Sequence, residues 1–217
     1  MGQAITSGVK PVEQKLVKFI PPAFACMPFY WTVEHYFKAV DTGVFTEEDK
    51  IELLFGEIFR LMPSGSPYAY CITLITRFFQ RRLGFDYQYR EEKPLGLSDQ
   101  LSAPEPDIAI VVDKDYSKNH PVGEDVFLVV EVAKSSLGLD REVKVQLYAA
   151  AELAEYWIVN LVDRQIEVHL NPLPQRRAYK SVAIYEEGNT FTSPFAGEVV
   201  VAELLPAAEE ETTTEAK

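Results

Sequence analysis

Cysteine and histidine are scarce in this 217-residue chain, which holds two of the first, Cys26 and Cys71, and three of the second. With no Cys-x-x-Cys pair, no histidine cluster and no zinc spacing, the sequence argues against a thiolate metal site, and both cysteines read as buried free thiols in apolar neighbourhoods. Long apolar runs are missing too. No stretch approaches the ~18 residues of a membrane-spanning helix, and Met1-Gly2-Gln3-Ala4 lacks the basic-then-apolar order of a signal peptide, so the cytoplasm is the expected location. Positive charge is in deficit: 21 Lys and Arg against 33 Asp and Glu leave −12 at pH 7. Part of this is local, since Glu209, Glu210, Glu211 and Glu215 against Lys217 give the last eleven residues −3, and −12 less −3 leaves −9 elsewhere. Such a balance does not hold nucleic acid by overall charge; a nucleic-acid enzyme of this composition needs a local basic patch. No internal repeat is present.

What remains is an ordinary globular composition, 47% hydrophobic and 25% charged, long enough for one sizeable core. Residues 1–27, with Pro11, Pro21 and Pro22, read as an extended or loosely ordered arm, residues 28–206 as a single domain, and the acidic stretch 207–217 as a disordered tail. Within the domain Thr32 is placed to cap a short helix, and Thr46-Glu47-Glu48-Asp49 resembles a second helix start. Ile51 to Met62 divides into two strands about Phe55-Gly56. The helix from about Tyr68 to Leu83 has Ile72, Ile75, Phe79 and Leu83 on its core face and Arg77, Arg81 and Arg82 on the other, a basic side that suits a solvated helix end or a contact to DNA. Strands are expected at Phe85–Arg90, Glu155–Leu161 and Gln165–Leu170, and two or three short ones between Tyr179 and Leu205 around the hairpin-turn signal Glu187-Gly188-Asn189.

The chain is organised around Pro106 to Lys144. Pro106-Asp107-Ile108-Ala109-Ile110-Val111-Val112 and Val126-Phe127-Leu128-Val129-Val130-Glu131-Val132 are β-branched runs whose order favours an antiparallel pair. A register with Asp107 opposite Glu131 brings both carboxylates to one end and one face of the pair. A divalent cation or a well-placed base would allow both to stay ionised there. A helix follows from about residue 141 to 153, with Asp140 as expected N-cap and Lys144 and Tyr148 one turn apart.

Gly56-Glu57-Ile58, Pro106-Asp107-Ile108-Ala109, Leu128-Val129-Val130-Glu131-Val132, Asp140, Lys144, Tyr148 and Glu155-Tyr156-Trp157-Ile158-Val159, in this order, resemble the Uma-type restriction endonuclease family of the PD-(D/E)xK nuclease superfamily. The resemblance covers about Thr32 to Leu170. It implies an α/β fold with a restriction-endonuclease-like core, a central mixed β-sheet flanked by helices with additional β-hairpins. It also implies a metal-dependent endonuclease that hydrolyses DNA, working as a homodimer. Asp107 and Glu131 would hold Mg²⁺ or Mn²⁺, with Glu57 as third acid, an oxygen set suited to a hard cation. The superfamily lysine would stand at Ala133. Lys134 is one position on and faces the other side of a regular strand, so Lys144 on the following helix is favoured and Lys134 stays the alternative. The lysine would orient or help deprotonate the attacking water. Tyr68 stands where family members often carry histidine, and its pKa of about 10 removes easy proton transfer. Taken singly, the acids read as solvated strand ends and Lys144 as a helix cation beside Asp140. The alternative function is a catalytically silent nuclease fold that binds a protein or nucleic acid, a reading the acidic balance favours.

Overall fold

The computed structural model describes residues 27–46, 48–61 and 65–208. The arm expected over 1–27, apart from Met27, and the tail expected over 207–217, apart from Ala207 and Ala208, lie outside the described residues, as does Cys26.

Helix α1 (Val33–Asp41) starts where Thr32 Oγ1 accepts the backbone N–H of His35, which satisfies one of the donors a helix start leaves free. The next expected helix does not form. Thr46 and Asp49 close a turn on each other instead, through the Asp49 carboxylate on the Thr46 N–H and hydroxyl. Strands β1 (Ile51–Leu54) and β2 (Glu57–Arg60) make an antiparallel hairpin. Its two turn residues, Phe55 and Gly56, have φ of 50° and 81°, the twist that tight hairpins require. A Cβ at Gly56 would also stand 2.7 Å from Tyr30 Cβ.

Helix α2 (Ser66–Leu83) has Pro67 in its first turn and Gly84 at its end. It precedes β3 (Tyr87–Glu91), β4 (Ile108–Val112) and β5 (Val126–Ala133). Helix α3 then runs as Leu137–Leu139, a π-helical stretch Asp140–Lys144 and Val145–Ala150. It leads to β6 (Glu155–Asn160), β7 (Gln165–Leu173), β8 (Ala178–Glu186), β9 (Thr190–Ser193) and β10 (Gly197–Val200).

Six strands form one sheet in the order β3-β4-β5-β6-β7-β8. All neighbours are antiparallel except β5 and β6, whose parallel pairing requires the crossover that α3 supplies. The expected mixed sheet with flanking helices is thus present. The turn at Glu187-Gly188-Asn189 is present too, with Asn189 N–H on Glu186 O, but β9 pairs with β10 rather than folding back on β8. Phe191 turns inward instead, stacking on Tyr185 and meeting Trp157 edge to face.

The alternation of side chains divides the sheet into two cores. Ile108, Ile110, Leu128, Val130, Val132, Trp157 and Val159 pack with Ile72, Ile75 and Phe79 of α2. Ala109, Val111, Val129, Ala133, Tyr156 and Ile158 pack with Leu147 and Tyr148 of α3 and with Leu54 of β1. Each fully buried Leu or Ile contributes about 1.5–3 kcal/mol relative to exposure. Because the period is two, Asp107 and Glu131 belong to the α3 face.

Candidate active site

Ile108 pairs with Val130 and Ala109 with Val129; continued by one position, this register sets Asp107 opposite Glu131, as the two apolar runs suggested. Both side chains are buried, Asp107 at 9% exposed and Glu131 at 2%. Asp107 Oδ2 accepts the Val132 N–H at 2.5 Å, and its Oδ1 accepts the hydroxyl of Tyr68 from the first turn of α2. Tyr68 also reaches Glu92 Oε1 at 3.3 Å.

Lys144 supplies the cation. Its Nζ donates to Glu131 Oε1 at 3.0 Å and lies 3.4 Å from Glu52 Oε2, with the whole residue only 4% exposed. Tyr148, one turn on, donates to the same Glu131 oxygen at 2.7 Å. The π-helical stretch is what aims Lys144. Val145 N–H bonds to Asp140 O, five residues back, so this turn holds one residue more than an α-turn and changes the facing of everything after it.

Asp140 is therefore not the helix cap expected of it. The helix begins at Leu137, Asp140 lies inside it with its N–H on Ser136 O, and its side chain is 1% exposed. Glu57, the expected third acid, is not brought to this cluster. Glu57 is exposed at the start of β2 and lines an open groove with Tyr30, Phe59, Asp99 and Arg177, away from the cluster. Glu52, fully buried on β1, stands at Lys144 in its place and accepts the Glu105 N–H at 3.2 Å. A charged residue inside the apolar run Ile51-Glu52-Leu53-Leu54 was the available signal. It is the same signal that marks Glu131 inside Val-Val-Glu-Val. Lys134 is exposed past the end of β5 and makes no ion pair among the described residues.

Four buried carboxylates, Glu52, Asp107, Glu131 and Asp140, thus surround one buried ammonium. Burial pushes the Asp107 carboxyl up to about 6, against the pull of Lys144, the Tyr68 hydroxyl and the Val132 N–H. Burial likewise raises Glu131, with Lys144 opposing and Asp107 adding to the rise, and raises Asp140. Burial alone would drive Lys144 toward its neutral form, but Glu131, Glu52, Asp140 and Asp107 outweigh it and hold the ammonium charged. One cation cannot compensate four anions, so the cluster either retains protons or admits further positive charge. Two of its oxygens, Glu52 Oε1 and Asp140 Oδ2, are buried without a hydrogen-bond partner among the described residues. Among the described residues no three His, Cys, Asp or Glu side chains converge as a ready-made ion cage.

Among solved structures the chain resembles a putative nuclease from Anabaena variabilis. The TM-score is 0.58 at 13% identity, and the match covers 80% of this chain and 96% of that one; at this identity the likeness is one of fold. No curated protein matches the chain. Residues 33–203 match the family Uma2, described as a putative restriction endonuclease. That span takes in the β1–β2 hairpin, every strand of the six-stranded sheet and all five members of the buried cluster, and the chain belongs to the Uma2 family.

Proposed function

We propose that the buried cluster is the active centre of a Mg²⁺- or Mn²⁺-dependent endonuclease that hydrolyses phosphodiester bonds of DNA. The observation that carries this reading is the meeting of Asp107 and Glu131 from neighbouring strands with Lys144, 3.0 Å from Glu131, in one buried set. This is the constellation that the PD-(D/E)xK resemblance implies, with its lysine supplied from the following helix.

The residues fit a hard divalent cation. Every donor is oxygen, two buried carboxylate oxygens have no partner among the described residues, and the acids outnumber the ammonium. Asp107 and Glu131 would hold the ion, with Glu52 rather than Glu57 as the third acid. Bound there, the ion supplies Lewis acidity to a phosphate oxygen and lowers the pKa of a water.

The chain's own groups do the rest. Lys144, kept protonated by its four acids, orients a water or a phosphate oxygen and stabilises negative charge as it develops there; it is a donor, not a base. Glu131 and Tyr148 fix where that ammonium points. Tyr68 has its hydroxyl pKa raised by burial and by Asp107, so it serves as a hydrogen-bond donor at neutral pH and removes no proton. Exclusion of water from this set strengthens each of these interactions.

An acidic protein needs a place for phosphates, and α2 has one. Arg77, Arg81 and Arg82 line an open groove with Tyr70, Leu74 and Phe78, faced by a single acid, Glu203. Arg82 is tied to Ala196 O, whereas Arg77 and Arg81 are exposed and make no ion pair among the described residues. Phosphate neutralisation by such arginines provides sequence-independent affinity.

Mn²⁺ titration by calorimetry and plasmid nicking, on the wild type and on Asp107→Ala/Glu131→Ala, test the reading. Binding and nicking that vanish together in the variant support it; a wild type that cleaves neither DNA nor RNA with either metal overturns it. A second reading, a catalytically silent fold that holds a partner, draws on the fact that both oxygens of Asp107 and one of Glu131 are already engaged by the protein. Absence of Mn²⁺ binding in the wild type would favour it.

A further inference from the structure

Helix α2 buries one side in the core, through Ile72, Ile75 and Phe79. Its outer side carries Tyr70, Leu74, Arg77 and Arg81, spaced four, three and four residues apart, the spacing of one helical stripe. With Phe78 and Arg82 they line the open groove that Glu203 faces. Tyr70 is 52% exposed and Phe78 is half-buried. The Arg82 guanidinium stands 5.8 Å from the centre of the Phe78 ring, held there by its Nε–H on Ala196 O. A lone exposed tyrosine is ordinary on a protein surface. Rings interleaved with three arginines are not, least of all on a chain of net charge −12.

From this we propose that the groove binds an unpaired strand of the DNA substrate, with bases stacked on Tyr70 and on the Phe78–Arg82 pair and phosphates held by Arg77 and Arg81. The arginines alone would suit a duplex as well as a single strand. The rings decide between them. Bases in a duplex are stacked on one another and present a protein with backbone and groove edges, whereas an unpaired base offers its face. Such stacking tolerates any sequence, and a positive groove with aromatic platforms is how proteins hold single strands without reading them.

The stripe from Tyr70 to Arg81 runs about 16 Å along the helix axis. Tyr68, which donates to Asp107, stands two residues before Tyr70 and on the other side of α2, so the groove begins across the helix from the buried cluster and leads away from it. It serves the strand beyond the point of cleavage. An anionic membrane also attracts arginine and aromatic side chains, but a helix lying in a membrane needs its apolar side for lipid, and α2 has buried that side in the core. The proposal rests on the nuclease reading for the identity of the substrate alone; binding in the groove needs no metal.

The test is fluorescence anisotropy in EDTA, where metal-dependent cutting is blocked. The probes are a labelled oligothymidylate of about 15 nucleotides, near the upper site size of a single-strand module, and a duplex of equal length. Wild type is expected to bind the single strand about tenfold or more tightly than the duplex. Tyr70→Ala weakens single-strand binding about fivefold or more and leaves duplex binding unchanged. Tyr70→Phe keeps the wild-type affinity, and Arg77→Ala/Arg81→Ala weakens binding of both probes. Far-UV circular dichroism checks that each variant is folded. Equal affinity for the two probes overturns the proposal, as does a folded Tyr70→Ala that binds the oligothymidylate like wild type. Binding to phosphatidylserine vesicles with none to the oligothymidylate also overturns it and assigns the groove to a membrane. A protein that nicks plasmid but prefers the duplex loses this proposal and keeps the nuclease reading; one that prefers the single strand but cuts nothing does the reverse.

Discussion

Lys144 Nζ sits 3.0 Å from Glu131 Oε1, and neither residue has more than 4% of its surface open to water. Removing the lysine strands a carboxylate where water cannot reach it. Lys144→Ala is expected to lose about 3–5 kcal/mol of stability in metal-free buffer, the usual cost of breaking a buried pair from one side. Urea unfolding measures this. Glu131→Gln combined with Lys144→Met should cost clearly less than the two single changes added together, because the pair is removed as a unit.

Glu52 and Glu57 separate the structural assignment from the motif assignment. Glu52→Gln should weaken Mn²⁺ binding about tenfold or more, whereas Glu57→Gln, on an exposed strand start, should leave it unchanged. Calorimetry on the two variants decides between them, and equal losses would place the third acid at both or at neither.

Arg77 and Arg81 predict a salt effect. If both neutralise phosphates, Arg77→Ala/Arg81→Ala lowers the steepness of log activity against log salt by about 2, near 0.9 for each contact. The fold should not change, since both side chains are exposed. An unaltered salt slope with unaltered nicking assigns the groove no part in substrate binding.

His169 predicts a limb of the pH–stability curve. It is 5% exposed, packed between Tyr156 and Tyr179, and neither ring nitrogen has a hydrogen-bond partner among the described residues. Burial lowers its pKa, with Glu167 opposing and Arg141 adding to the fall. The folded state therefore binds its proton less readily than the unfolded chain. Stability is complete above the ordinary value near 6.5 and falls as pH drops below it. His169→Phe should flatten that limb in denaturation midpoints measured from about pH 7 down to 5; an unchanged limb would assign the acid sensitivity to other groups.

Much of the fold was legible because its strongest signals are local. The two β-branched runs, the Phe55-Gly56 turn and the apolar stripe of α2 each state their element in a few residues, and the Asp107–Glu131 register follows from two strands and a pleat. What escaped depends on distant chain. Asp140 looks like a helix cap because nothing in Leu137-Gly138-Leu139 announces a helix, and that first turn exists through the packing of Leu137 and Leu139 against the α3-side core. Glu57 stands in a conspicuous Gly-Glu motif, whereas Glu52 has only its apolar neighbours to mark it. Their burial is decided by which end of β1–β2 lies over α3, a relation that no short window contains. Asn189 had the right turn chemistry, but the partner of β9 was set by the burial of Phe191.

The π-helical stretch of α3 has an evolutionary consequence. A turn closed from Val145 to Asp140 spends one residue more than a regular helical turn, so deletion of one codon between Asp140 and Lys144 could restore an ordinary helix without breaking the crossover. The same event would turn the lysine by about 100° relative to what precedes it, and Leu147 and Tyr148, which follow it into the α3-side core, would turn with it. Placement of the ammonium at its carboxylates and packing of α3 on the sheet therefore hang on the same extra residue, and a chain that loses it disturbs both.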